Sequence, residues 1–292
     1  MFAPAPPAVL PAPSPLTLEA AFAAARAGLR PARDPAVVLR SASATAAEKL
    51  AAIDALQSRL PGEPRALRAA ALDALAAAAA SPSQPPEVRA KAYAFLGCEM
   101  PPTADDAAAS RALRVLLAAL PGPRYRIFAL RGLGPASHAI PDADEALLQG
   151  ALLDLLDGPV AGEERATALV ALYAFVGPRD DLARRKPALP AELDARLLAP
   201  MEADPAGFVR DPRATPASRE MAIATVWISA RQREALGDPA PARRVDALLD
   251  RLASVETDPT VLSWIRTYRT APPPPPFTAS ATKRAPAGPD EP

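Results

Sequence analysis

Residues 84–97 read QPPEVRAKAYAFLG, and weaker copies of this stretch recur along most of the chain. The best echo is LYAFVG at Leu172 to Gly177, set against AYAFLG at Ala92 to Gly97, and ALRGLG at Ala129 to Gly134 has the same outline. Aligned on the basic residue that opens each copy, the positions are Lys49, Arg89, Arg126, Arg165 and Arg219, with Leu262 taking that place in a final degenerate copy. The copies stand about 40 residues apart, with one longer step of about 54 between Arg165 and Arg219. Helix-forming sequence with that period predicts stacked helix pairs. One pair cannot bury its apolar face alone, and the next pair in the stack buries it.

Composition agrees. Half of the 292 residues are hydrophobic but only 4% are aromatic, so the apolar content is chiefly Ala and Leu, the strongest helix formers. The expected class is all-α. Lys plus Arg and Asp plus Glu balance at 33 each, so no whole-molecule field draws the chain to nucleic acid or to an anionic membrane. Lysine is rare and asparagine absent, which fits the codon bias of a GC-rich, bacterial genome. The single cysteine, Cys98, excludes an intramolecular disulfide and leaves the redox compartment open. No apolar run reaches the roughly 18–20 residues needed to span a bilayer. The opening MFAPAPPAVLPAPSP lacks the basic and unbroken apolar regions of a signal peptide. Localisation therefore reads as cytoplasmic as written, or periplasmic or secreted if Met1 follows a removed signal.

Three segments are expected: a Pro-rich disordered leader at 1–16, the helical array at 17–270, and a Pro-rich disordered tail at 271–292 that opens with APPPPPF. Within the array each copy forms an inner helix, preceded by an outer helix. The first pair is expected at Thr17 to Gly28 and Thr45 to Leu60, where Thr45 and Glu48 form a capping box. The next pairs are Glu63 to Ala80 with the master stretch, Thr103 to Leu120 with Pro123 to Gly134, and a helix started by Asp142 and Glu145 with Glu163 to Gly177. Gly97 and Gly134 are placed to close their helices. A fifth outer helix is expected at Ala191 to Met201, then a long inserted loop at Glu202 to Thr215, too rich in Pro and Gly for a helix. Thr215-Pro216 and Asp258-Pro259 each read as a cap followed by a first-turn proline, opening the last two inner helices.

An inner helix that opens Pro-Glu-Val-Arg, carries alanine three residues after the arginine and ends Leu-Gly resembles the second helix of a HEAT repeat. Pro86, Val88, Arg89, Ala92, Leu96 and Gly97 carry the likeness, as do Arg126, Ala129, Leu133 and Gly134. Arg165, Ala168 and Leu172 continue it, followed more loosely by Arg219, Ala222 and Val226. It covers roughly Thr17 to Thr270. The resemblance implies a right-handed α-solenoid (α-α superhelix) of about six HEAT-like helix pairs, acting as a scaffold or adaptor that binds another protein on its concave face. The family's turn aspartate is missing, since Ser83, Leu120, Pro159 and Arg213 hold its place. An Asp–Arg ladder is therefore not expected. The basic positions Lys49, Arg89, Arg126, Arg165 and Arg219 read as structural, and Arg89 with Tyr93, one turn on, suits a cation–π contact.

Little chemistry is legible. With His138 as the only histidine, HExxH zinc sites and paired-His iron sites are excluded, including the His-Glu iron site of deoxyhypusine hydroxylases built on HEAT-like scaffolds. No P-loop, dinucleotide turn or GxSxG elbow occurs. No catalytic residue, metal or cofactor is expected, and the chain is expected to be a monomer. Two alternatives remain. A Cys98–His138 dyad would follow the ends of adjacent inner helices. A nucleic-acid-binding protein resembling HEAT-like DNA glycosylases would stack Trp227 and Trp264 on a base and set Arg231, Arg233, Arg243 and Arg244 on phosphates.

The expected partner site combines the inserted loop with aromatic residues of the inner layer. The loop offers Phe208 beside Arg210, Asp211 and Arg213, an aromatic ringed by charge. Tyr93 and Phe95, like Tyr173 and Phe175, are two residues apart and point to nearly opposite sides of a helix, so one of each pair is expected to be exposed.

Overall fold

A computed structural model describes residues 34–59, 65–98, 106–136, 142–176 and 188–271 of the chain. All regular structure among them is helical. In chain order the helices are α1 (Pro35–Arg40), α2 (Ala46–Arg59), α3 (Arg65–Ala80), α4 (Pro86–Cys98), α5 (Asp106–Ala118), α6 (Arg126–Ala136), α7 (Glu145–Asp157) and α8 (Gly162–Val176). Then α9 runs through Ala188–Leu193, a π-helical turn Asp194–Leu198, and Ala199–Ala203. It is followed by α10 (Pro205–Arg210), α11 (Pro216–Ala235), α12 (Ala240–Val255) and α13 (Pro259–Thr270). No described helix is long and apolar enough to cross a membrane. The expected first helix, Thr17 to Gly28, and both Pro-rich ends lie outside the described residues.

One local device starts helices repeatedly. A side-chain oxygen accepts from a free amide of the first turn, and a proline occupies the first helical position, where no amide donor is needed. Asp34 does this for Ala36, Asp204 for Gly207, Thr215 for Ser218, and Asp258 for both Thr260 and Val261. The capping box is present too: Thr45 N donates to Glu48 Oε2 at 2.7 Å and Glu48 N to Thr45 Oγ1 at 3.2 Å.

Three local expectations need correction. Glu202 to Thr215 is not an irregular insertion, because Asp204-Pro205 caps the short helix α10 within it. At the start of α7, Asp144 stands at the N-cap without a cap hydrogen bond, and its carboxylate accepts from Ser110 of α5. Helix α6 does not stop at Gly134 but continues through Pro135 to Ala136. The described helix packed beside α2 is α1, a short helix not foreseen in the sequence.

The helices pack in two rows. Along one row α2, α4, α6, α8, α11 and α13 each touch the next, and along the other α1, α3, α5, α7 and α9 do the same, with α10 leading on to α12. Each inner helix also packs on the outer helix of its own pair. The core is the seam between the rows, filled by Leu72, Leu75, Leu96, Leu113, Leu116, Leu130, Leu133, Leu148 and Phe175, all fully buried. In α12 the buried residues Val245, Leu248, Leu249 and Leu252 recur every three or four positions, a single stripe facing that seam. Each such leucine contributes about 1.5–3 kcal/mol by leaving water.

Glycine sets the closest approach in the inner row. A Cβ built on Gly97 would fall on the Gly132 carbonyl, and one built on Gly132 would lie 2.6 Å from the Tyr93 carbonyl oxygen. Helices α4 and α6 therefore meet backbone to backbone. Gly97, read as a helix-closing residue, and Gly132 are the surfaces through which adjacent pairs join.

Candidate functional site

The repeated basic residues come first, because they fix the inner row in place. Three of the five, Arg89, Arg126 and Arg165, reach the carbonyls that close the preceding outer element. Arg89 Nε donates to Ala79 O at 3.0 Å, Arg126 Nε to Leu120 O at 2.6 Å, and Arg165 NH1 to Leu156 O at 2.9 Å. These carbonyls are the negative end of a helix dipole, so a guanidinium is suited to them.

The same residues reach forward to the next pair. Lys49 Nζ donates to Gln84 Oε1 at 2.8 Å, and Gln84 in turn donates to Leu39 O. The Arg89 guanidinium lies 4.4 Å over the Tyr125 ring, so its aromatic partner is in the next repeat and not Tyr93. Arg126 pairs with Glu164 at 2.8 Å, Arg165 lies 4.0 Å from Asp211, and Arg219 grips buried Glu256 with two hydrogen bonds of 2.8 and 3.0 Å. A ladder between repeats exists after all, with Gln, Tyr, Glu, Asp and Glu in place of one fixed aspartate. Sequence reasoning missed the partners because they stand at varying offsets from the next basic residue.

The residues expected to form the partner site do not come together. Tyr93 is buried against Tyr125, with centroids 5.5 Å apart, and Phe175 is fully buried. Phe95 is half-buried against the core beneath Lys91. Phe208 is half-buried too, because α10 packs on α12. Arg210 is exposed. Arg213 holds Asp211 at 2.9 Å and donates to Gly158 O, while its own carbonyl accepts from Gly162 N. These bonds fasten the segment to the turn before α8. Hydrogen bonds from Arg213, outweighing burial, hold the Asp211 carboxyl below the usual range, and burial lowers the Arg165 guanidinium. Of the aromatic pairs only Tyr173 is open to solvent, roughly three turns along α8 from the fastened end.

Tyr173 belongs to a different cluster. On α11, Glu220, Ala224, Trp227 and Arg231 follow one another at helical spacing on one face. Tyr268 of α13 covers that face, with its ring centroid 5.0 Å from Trp227 and 5.9 Å from Trp264, the latter nearly parallel at 25°. The Arg231 guanidinium lies over the Trp227 ring, 5.9 Å from its centroid. Trp264 is 40% exposed, Tyr173 36% and neighbouring Val170 46%, which makes an apolar surface across α8, α11 and α13.

The polar groups of this surface are under-used. Trp227 Nε1 is buried with no hydrogen-bond partner. Burial pushes the Glu220 carboxyl above its usual range. Burial, then the nearby Glu220 and Tyr173, push the Tyr268 phenol up to about 12.

The arginines considered for phosphate contacts are largely taken. Arg231 pairs with Glu234 and Asp246, Arg233 with Asp194 and Asp238, and Arg244 with Asp194 and Glu202. Arg243 is exposed. Cys98 ends α4, and His138 lies outside the described residues, as therefore does the dyad. No group of three or more His, Cys, Asp or Glu able to hold a metal occurs among the described residues. Comparison with protein-family models, with curated proteins and with solved structures finds no match.

Proposed function

We propose that the chain is a non-catalytic scaffold or adaptor for another protein: a right-handed α-solenoid of six HEAT-like helix pairs that docks its partner on the inner row. The repeat period, the two rows of helices and the interrepeat ladder support the solenoid. The observation that carries the function is the aromatic surface on α8, α11 and α13. Trp and Tyr are the residue types most enriched at the energetic centres of interfaces, and here both Trp264 and Tyr173 stay open while other rings of the inner row are packed away.

This moves the docking surface from the 202–215 segment to the far end of the inner helices. Loss of Phe208 would remove packing between α10 and α12, whereas Trp264 and Tyr173 can be cut back with little effect on the core. The nucleic-acid alternative has less support, because three of its four arginines already face carboxylates and their charge is locally cancelled.

The experiment compares the full chain with a Tyr173→Ala, Trp264→Ala double variant in partner recovery and thermal unfolding. The expected outcome is a partner recovered only by the wild type, with each truncation costing more than about 1 kcal/mol of binding and Tm nearly unchanged. Equal recovery by a stable variant overturns the surface. Tight, steeply salt-dependent binding of duplex DNA would overturn the scaffold reading itself.

A further inference from the structure

We infer that the aromatic surface on α8, α11 and α13 is a seat for a proline-rich segment, and that its occupant is this chain's own Pro272–Phe277. The inference rests on that surface being the docking face. The occupant is argued from where α13 delivers the chain.

Helix α13 ends at Thr270, two residues after Tyr268. Ala271 then adopts φ −64 and ψ 132, close to the polyproline II values, as a residue before proline must. It remains half-buried and packed against the core, and its amide donates to Thr267 O at 2.8 Å. The chain thus leaves the helix still in contact with the protein, three residues after Tyr268, and five consecutive prolines and Phe277 follow at once.

Length and chemistry both fit. The six residues Pro272–Phe277 span about 19 Å as polyproline II. Neighbouring helix axes lie about 8–10 Å apart, so two spacings are about 16–20 Å, and such a run starting at α13 is long enough to cross α11 and reach α8. A proline run has carbonyl acceptors and no amide donors. The surface is its complement: ring faces for the pyrrolidines, and indole and phenol donors on Trp264, Tyr268 and Tyr173 that make no hydrogen bond among the described residues. Aromatic-lined surfaces of this composition hold preformed proline helices at small entropic cost. A surface occupied by its own tail is also one a partner must compete for.

The test uses the fact that Trp227 and Trp264 are the only tryptophans in the chain, so intrinsic fluorescence reports on this surface alone. Acrylamide quenching is measured on the wild-type chain and on a full-length Pro273→Ser, Pro274→Ser, Pro275→Ser, Phe277→Ser variant with unchanged helical circular dichroism. The expected result is loss of protection in the variant, restored saturably by a synthetic APPPPPFTAS peptide and independent of protein concentration in the wild type. Equal quenching of the two chains overturns the inference, as does protection that appears only at high protein concentration, which would put the tail of a second copy on the surface. Equal quenching together with saturable peptide binding sinks the intramolecular occupant but leaves the docking face standing. Absence of peptide binding combined with partner recovery that ignores Tyr173 and Trp264 sinks both.

Discussion

At the scale of the residue, small side chains decide more than large ones. Gly97 reads in the sequence as the residue that ends a helix, because glycine is the common closing residue. The reason for it here is three-dimensional, namely contact with the backbone of α6, and nothing in the local sequence carries that information. Gly97→Ala is expected to cost at least about 3 kcal/mol, the upper range for overpacking, since backbone lies on both sides of the contact. Gly150→Ala is the control: it lies inside α7 with open space around it, and the substitution should stabilise by about 0.5–1 kcal/mol. Urea unfolding of the two variants measures both, and equal effects would refute the backbone contact. Glu220 gives a pH-dependent counterpart. Its folded pKa is raised, so the native state disfavours the ionised form, and stability falls as pH rises from the usual carboxylate range through the raised value. Glu220→Gln should therefore raise Tm at neutral pH, with the gain vanishing below about pH 4, where glutamate is protonated in both states. An offset constant with pH would point to packing instead.

At the scale of the element, the helices were legible and their couplings were not. Ala/Leu periodicity and the Thr45–Glu48, Thr215-Pro216 and Asp258-Pro259 signals mark helix starts because the interactions they encode are local. Asp204-Pro205 is the same signal as Asp258-Pro259, so the helix in the supposed loop was available to a reading that weighted caps above overall Pro and Gly content. The ladder partners Gln84, Glu164, Asp211 and Glu256 belong to other repeats, and only the fold selects them. Of the candidate site, Tyr173 was visible as one of a pair, and the two tryptophans were noticed only as possible base-stacking residues. What joined them was Tyr268 lying over α11. The ladder predicts a difference in stability between two ion pairs. Arg219–Glu256 is buried, and the carboxylate also accepts from Thr257 N and Asp258 N. Glu256→Ala strands a buried guanidinium and should cost about 3–5 kcal/mol. Arg111–Asp73 is also bidentate but half-exposed, and Asp73→Ala should cost about 0–1 kcal/mol. Similar losses in the two variants would show that burial does not set the strength of the ladder.

At the scale of the whole molecule, the contacts run from each helix pair to its neighbours, and in the solenoid proposed above stability is approximately a sum of pair and junction contributions. A junction weakened at one end should then leave the other end folded over part of the denaturation range. The placement of chromophores makes this measurable. Trp227 and Trp264 lie in the last two pairs, so fluorescence follows that end, whereas far-UV circular dichroism follows all the helices. Gly97→Ala strikes the α4–α6 junction, far from both tryptophans. The expected outcome is a circular dichroism transition that broadens and moves to lower urea, with a tryptophan transition whose midpoint moves much less. Glu256→Ala, at the α11–α13 end, should do the reverse and shift the fluorescence midpoint first. If both probes stay coincident and move together in both variants, the pairs unfold as one two-state unit, and the additive account of this fold is wrong.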